Sequence, residues 1–363
     1  MSIYERLGVR PLINAKGTFT FLSGSLMPPE VVAAMAEAAQ QYVDIHELQE
    51  AVGRHLAELL GAEAALVTTG AAAALVVGTA AIVAGEDPEK LQRLPDTTGM
   101  KNEAIIQKCQ RNAYDFAIRQ VGVKLVEVED LQQMEAAINE RTAVLLYVSA
   151  FDRSSPVKLP EVIRVGKARG VPVFVDAAAE LPPARNLKGF AQCGADLVTF
   201  SGGKGLRGPQ ASGLLLGRKD LIRAAARNMS PNHAIGRPMK VGKEEIIGLM
   251  RAVELYLERD HEAEWKRWEA QLDHIAATVA DIPGITTGRV PTEVTNHVPR
   301  LFLTWSADAL GKTQEKVVEE LRSGSPRIEA LVTQCGLTIT VSTLQAGEEQ
   351  VIARRLREIL QRA

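Results

Sequence analysis

Apolar residues in this chain follow two alternating rhythms. Short continuous runs lie at Ala64–Val67, Ala104–Gln107, Lys124–Val128, Val144–Val148, Val171–Val175 and Leu197–Phe200, with Leu214–Leu216 as one more. Runs of this length predict strands buried on both faces. Between them, helical spacing predicts helices over Glu30–Gln41, Leu48–Leu60, Ala71–Ala84, Arg111–Val121, Leu131–Asn139 and Leu159–Ala168. Gly61 and Gly85 follow two of these, where a helix C-terminus favours glycine. A shorter connection, Leu187–Cys193, precedes the run Leu197–Phe200. Strand-then-helix alternation predicts a mostly parallel sheet with helices on both faces, an α/β architecture.

The rhythm changes in the last third. Lys243–Ala277 reads as one long helix of the kind that bridges two domains. Strands are then predicted over Gly284–Val290, Arg300–Trp305 and Leu337–Val341, with helices over Thr313–Ser323 and Glu348–Arg362. The expected organisation is an irregular N-terminal segment (1–30), a large domain (31–260) and a small α+β domain (261–363). Gly17, Gly24, Pro28 and Pro29 punctuate the first segment.

Composition narrows the function. The 363 residues are 46% hydrophobic and 24% charged, an ordinary globular balance. A net charge of −2 with no basic stripe argues against a nucleic-acid partner. No apolar run reaches the roughly 18 residues of a membrane span, and Ala71–Ala84 reads as a buried helix. The opening MSIYERLGVRP lacks the apolar core of a secretory signal, so a cytoplasmic location is expected. Cys109, Cys193 and Cys335 form neither a zinc-like cluster nor a disulfide framework. His46, His233 and His297 have no metal-like spacing and read as structural.

The chemistry concentrates in Ala195–Gly217, ADLVTFSGGKGLRGPQASGLLLG. Here Lys204 stands among glycines just past a strand end, three residues after Ser201. An isolated SxxK is ordinarily a solvated loop lysine. In a desolvated cleft, however, its amine becomes a nucleophile able to form a Schiff base with an aldehyde cofactor. Upstream, VPVFVD ends in Asp176, 28 residues before the lysine. Such an acid either caps a helix or faces a ligand at the carboxyl end of a parallel strand. A pyridine cofactor needs an acidic partner at its ring nitrogen. Thr69, Gly70 and Ala71 open the helix after the first strand, where free backbone N–H groups can cradle a phosphate. The order of phosphate turn, acid and lysine, each at a strand end, points to pyridoxal 5'-phosphate (PLP). No GxGxxG follows the first strand, which disfavours a nicotinamide enzyme.

These residues also resemble a known family. FSGGKGLRGPQASGLLLG is similar to the cofactor-lysine segment of bacterial selenocysteine synthases (L-seryl-tRNA(Sec) selenium transferases). RLGVRPLINAKGTFTFLSGSLMPPEV, GAEAALVTTGAAAAL and LPDTTGMKNEAIIQKCQRNAYDFAIRQVG match the short, ammonia-lyase-like members, so the likeness spans nearly the whole chain. The resemblance implies a fold type I, aspartate-aminotransferase-like PLP enzyme. It implies Lys204 as the Schiff-base lysine and Asp176 as the ring-nitrogen partner, with Thr69, Gly70 and Ala71 on the phosphate and Ser201 assisting. It implies a homodimer or higher homo-oligomer, with residues 1–30 packing on the small domain and the partner. Two features depart from the pattern. The chain opens at YERLGVRP without the tRNA-holding domain of true selenocysteine synthases, so a tRNA substrate is not expected. Gln110 replaces a His found in relatives where the family stacks a side chain on the cofactor ring.

The expected substrate is a small amino acid or amino-sugar acid. Arg207 and Arg300 are the leading candidates to clamp its carboxylate, with Arg111 and Arg153 as further ones. Ser25 and Thr18 either reach a neighbouring subunit's site or cap turns. The expected reaction is a lyase one: Lys204 removes the α-proton, a β-hydroxyl leaves, and a 2-oxo acid and ammonia result. Racemisation and β-replacement start from the same carbanion. A catalytically inactive dimeric binding protein that keeps the fold is the alternative of another class.

Overall fold

The computed structural model describes residues 2–290 and 297–361. The chain divides into two compact units: Leu26–Arg259 forms one, and the residues up to Ser25 and from Asp260 onward form the other.

The larger unit is built on a seven-stranded sheet. Its strands are β1 (Ala64–Thr68), β2 (Glu103–Gln107), β3 (Lys124–Val128), β4 (Thr142–Val148), β5 (Val173–Asp176), β6 (Leu197–Ser201) and β7 (Gly213–Gly217). In the sheet they stand in the order β1-β7-β6-β5-β4-β2-β3. All neighbours are parallel except β7, which runs antiparallel to both β1 and β6. β1, β2, β4, β5 and β6 therefore all end at one edge of the sheet. The middle strands are buried almost without break, as a sheet covered on both faces requires. The helix Ala71–Ala84 is apolar all round and nearly wholly buried. Gly78 lets it lie close to the sheet, beside the Phe174 ring.

The smaller unit holds a four-stranded antiparallel sheet in the order Leu331–Thr333, Gly336–Thr340, Arg300–Thr304, Thr286–Val290. The N-terminal strand Leu12–Asn14 pairs in parallel with Arg327–Glu329. Trp268, Leu272 and Ile275 of one helix share a core with Ile352, Leu356 and Ile359 of another.

Several elements differ from the periodic reading. Only Phe116–Arg119 of the expected Arg111–Val121 helix is α-helical. Asn112 accepts from the Tyr114 amide at 2.8 Å and donates to the Gln110 carbonyl at 2.9 Å. Such local bonds compete with helix formation. The long Lys243–Ala277 helix is two, Lys243–Glu258 and His261–Val279. Arg259 is extended and Asp260 caps the second helix through the Ala263 amide at 2.9 Å. A helix over Pro88–Arg93, and the strands Leu12–Asn14, Arg327–Glu329 and Leu331–Thr333, are too short to carry a periodic signal. The expected end of the last helix, Arg362, lies outside the described residues. Among the described residues, no helix is long and apolar enough to cross a membrane.

The strand leading into the phosphate turn is held by a close helix contact. A Cβ on Gly53, in the helix Ile45–Leu60, would lie 2.4 Å from the Ala65 carbonyl oxygen of β1. Gly53→Ala gains about 1 kcal/mol of helix propensity, but overpacking against a rigid backbone costs about 1–3 kcal/mol. We expect a net loss of roughly 1 kcal/mol, read as a lower urea midpoint with unchanged slope.

Candidate active site

Three strand ends build the site. At the first, β1 runs into the turn Thr68-Thr69-Gly70 and then the helix Ala71–Ala84. Gly70 is the N-cap, at φ 131°, and no side chain caps the helix. The first amides of any helix lack intrahelical partners, so those of Ala71, Ala72 and Ala73 form an anion cradle aided by the helix dipole. Thr68 is fully buried and pins the turn, its Oγ1 donating to the Gly70 carbonyl at 2.9 Å. Gly213 backs it: a Cβ there would lie 2.4 Å from the Gly70 carbonyl carbon and 2.7 Å from the Ala71 nitrogen. Thr69 Oγ1 meets only the Ala211 carbonyl, at 3.5 Å.

At the second, β5 ends in Asp176, in register with Val148 of β4 and Thr199 of β6. Its carboxylate accepts the Ala178 amide at 3.0 Å, and its carbonyl accepts from Ser149 Oγ at 2.7 Å. The next helix begins only at Arg185, so Asp176 is not its cap. At the third, β6 ends in Ser201, opposite Gly213, and the chain loops tightly through Lys204. Gly208 donates to the Gly202 carbonyl at 2.8 Å and Arg207 to the Lys204 carbonyl at 3.0 Å. The glycines here answer to packing. A Cβ would come within 2.0 Å of Ser212 Oγ at Gly202, 2.6 Å of Gln210 Cα at Gly203 and 2.4 Å of the Leu181 carbonyl at Gly205.

Burial sets the electrostatics. It pushes the Lys204 amine below the ordinary lysine value, against the pull of the Asp176 and Glu180 carboxylates. It pushes the Asp176 carboxyl up, opposed by the Ala178 amide and the Lys204 charge and reinforced by Glu180. Acid and amine thus share one desolvated cluster. A small pocket opens beside Asp176, lined among others by Leu75, Asn112, Tyr114, Tyr147 and Phe174.

The other sequence candidates fall as follows. Gln110 is fully buried, its amide donating to Ser155 Oγ at 2.7 Å and accepting the Val148 amide at 2.8 Å. Arg111 is ion-paired to Asp115 at 2.6 Å and to Glu127, so its guanidinium is already matched. Arg207 is half-buried in the lysine loop with a left-handed backbone, φ 58°. Arg153 is exposed on the turn Ser149–Ser154. Arg300, Ser25 and Thr18 belong to the smaller unit. Arg300 stands between Val290 and Thr340, and burial lowers its pKa. His46 and His233 are exposed and His297 is half-buried. Among the described residues, no three His, Cys, Asp or Glu side chains group to hold a metal. Periodicity and motif missed Ser149 and Glu180. The one signal for Glu180 was an acid inside the small and apolar run Ala177–Leu181.

An uncapped helix start, a desolvated acid and a desolvated amine fit the phosphate, ring nitrogen and aldehyde of PLP. Comparison with known proteins agrees. The family model described as SelA, L-seryl-tRNA selenium transferase, matches residues 114–268. A 5'-C-glycyluridine monooxygenase-decarboxylase of a Streptomyces species is 35% identical, covering 98% of this chain and 92% of that one. D-glucosaminate-6-phosphate ammonia lyase of Salmonella typhimurium is 33% identical, over 100% and 99%. This chain belongs to the SelA family. The solved structure of a D-glucosaminate-6-phosphate ammonia-lyase superposes on it with a TM-score of 0.86 at 33% identity, covering 100% of this chain and 99% of that one. Sphingomonas wittichii serine palmitoyltransferase, 14% identical, shares the fold with a TM-score of 0.62, over 97% and 88%. The fold is fold type I, and the family and fold are PLP-dependent. The ammonia-lyase relationship supports a PLP-dependent lyase.

The contact at Gly213 predicts a selective defect. Gly213→Ala drives a methyl into the Gly70–Ala71 backbone. We expect PLP affinity to fall at least tenfold and stability by about 1–3 kcal/mol, measured by cofactor titration and thermal unfolding. Wild-type PLP affinity in a folded Gly213→Ala protein would mean the helix start does not hold the phosphate.

Proposed function

We propose that this protein is a PLP-dependent ammonia-lyase acting on a 2-amino-3-hydroxy acid derived from a sugar. The observation that carries the proposal is that Asp176 and Lys204 stand at or just past neighbouring strand ends at one sheet edge, where burial disfavours the charge of each. In this reading Lys204 holds the cofactor through Nζ, and Asp176 holds a proton at its ring nitrogen. The amides of Ala71–Ala73 hold the phosphate, with Thr69 and Ser201 beside them. The bound cofactor supplies an electron sink for the charge left when the Cα–H bond breaks. Once the substrate amine has displaced Lys204 from the cofactor, the freed Lys204 Nζ would take that α-proton as general base, and Arg207 would clamp the substrate carboxylate. Loss of the C3 hydroxyl as water, then hydrolysis at C2, gives a 2-oxo-3-deoxy acid and ammonia. The water released equals the water consumed. Gln110 braces the end of β4, and we assign it no place on the ring.

We place the protein in the cytoplasm, in keeping with three free cysteines among its described residues. We propose a homodimer or larger homo-oligomer. Exposed Leu26, Val32, Tyr42 and Val43 of the larger unit support that reading, because large apolar side chains clustered in one stretch favour a partner surface. The purified protein should sediment as a dimer or larger, and a strictly monomeric active enzyme would overturn the assignment.

The activity is tested by screening amino-sugar acids for ammonia and 2-oxo acid release. Lys204→Ala should lose at least about 10²–10⁴-fold in rate, and borohydride should fix PLP to Lys204 in the wild type. Because burial lowers the pKa of the free Lys204 amine, borohydride trapping of PLP added to the cofactor-stripped protein should rise with pH through a midpoint below the ordinary lysine range. Full activity in Lys204→Ala would remove the proposal. Carbon dioxide release without ammonia would replace it with a decarboxylase, the chemistry named for the Streptomyces relative.

A further inference from the structure

Two acids, not one, surround the lysine. Glu180 is only 5% exposed, a rare state for a carboxylate without a purpose. It lies on the turn that leaves Asp176: its amide donates to the Ala177 carbonyl at 3.1 Å, and its carbonyl accepts from Asn186 Nδ2 at 2.8 Å. The next residue presses on the lysine loop, for a Cβ on Gly205 would lie 2.4 Å from the Leu181 carbonyl oxygen. Glu180 and Lys204 therefore precede two residues whose backbones touch, and Asp176 stands at the start of the same turn.

We propose that Glu180 is a positioning residue whose carboxylate is the counter-charge for the ammonium that Lys204 Nζ becomes on taking a proton from the substrate. The proposal rests on the reading of Lys204 as the cofactor lysine and general base. Its logic is a charge count. Asp176 is matched by a proton at the cofactor ring nitrogen. An ammonium at Lys204 would then be buried without a partner, which is strongly unfavourable. Glu180 supplies the missing charge and so makes Nζ a stronger base than burial alone would leave it. The electrostatics agree in direction: Asp176 and Glu180 both favour the protonated lysine, and they are the two charged groups found to act on it. Glu180 also disfavours the charged form of Asp176, so the two acids divide their roles most cleanly when a ring proton occupies the first.

The test uses the cofactor-stripped protein. Wild type and Glu180→Gln are mixed with PLP across a pH series, trapped with borohydride, and the Lys204 peptide is quantified by mass spectrometry. Glu180→Gln keeps the shape and removes the charge. We expect the pH midpoint of trapping to fall by about one unit, or roughly tenfold faster trapping below the wild-type midpoint, the size of a single nearby charge at intermediate dielectric. In the loaded enzyme, kcat should fall while KM holds, and Glu180→Asp should recover part of both effects. An unmoved midpoint in a Glu180→Gln protein of wild-type thermal stability overturns the proposal. Should Glu180→Gln not fold, Glu180→Ala, which also removes the charge, carries the same measurement, and an unmoved midpoint there is equally fatal. Wild-type trapping at a lysine other than Lys204 would instead sink the functional reading beneath it, whatever the variants do.

Discussion

The site depends on keeping an amine and two carboxylates out of water at one edge of a parallel sheet. Bare charges do not survive in such a place, since each loses its hydration and must find a partner. Backbone contacts and short polar side chains build the surroundings of Lys204, Asp176 and Glu180. Glycines flank the lysine because neighbouring backbone and the Ser212 hydroxyl fill the space their side chains would take. The acid is fixed from both sides, by the Ala178 amide on its carboxylate and the Ser149 hydroxyl on its carbonyl. Rigid surroundings are what allow burial to hold both pKa values away from their solution positions.

Strand β7 ties the pieces together. It runs against the direction of its neighbours and wedges between β1 and β6. Its first residue, Gly213, is opposite Thr68 on one side and Ser201 on the other. One position thus sets the spacing between the anion cradle and the lysine loop. Without a side chain, it lets the Gly70–Ala71 peptide approach closely. The separation between phosphate and aldehyde on a rigid cofactor is fixed, so the proposed seat requires a fixed separation between its two ends.

Much of this was legible in the chain. Continuous apolar runs mark the buried strands because a covered parallel strand has no wet face, and Asp176 and Lys204 stand out as charges where those runs stop. The ends of helices were less legible. Asn112 and Asp260 redirect their backbones through side-chain hydrogen bonds that an apolar period does not record. Glu180 was hidden for another reason. Its importance comes from Gly205 meeting Leu181, a contact between segments 24 residues apart that no local pattern encodes. The bracing contacts of Gln110 were hidden for a similar cause, since its two partners, Val148 and Ser155, lie far along the chain.

The contrast between the walls around Lys204 and those of the pocket beside Asp176 has an evolutionary consequence. The lysine wall is interlocked peptide, where almost any added atom collides with main chain. The second wall, the pocket lined by Asn112, Tyr114 and Tyr147 among others, is bounded by side chains. A lineage can rebuild the second wall piece by piece while the first stays frozen. New substrates should therefore be acquired by remodelling the pocket, with the cofactor seat inherited intact.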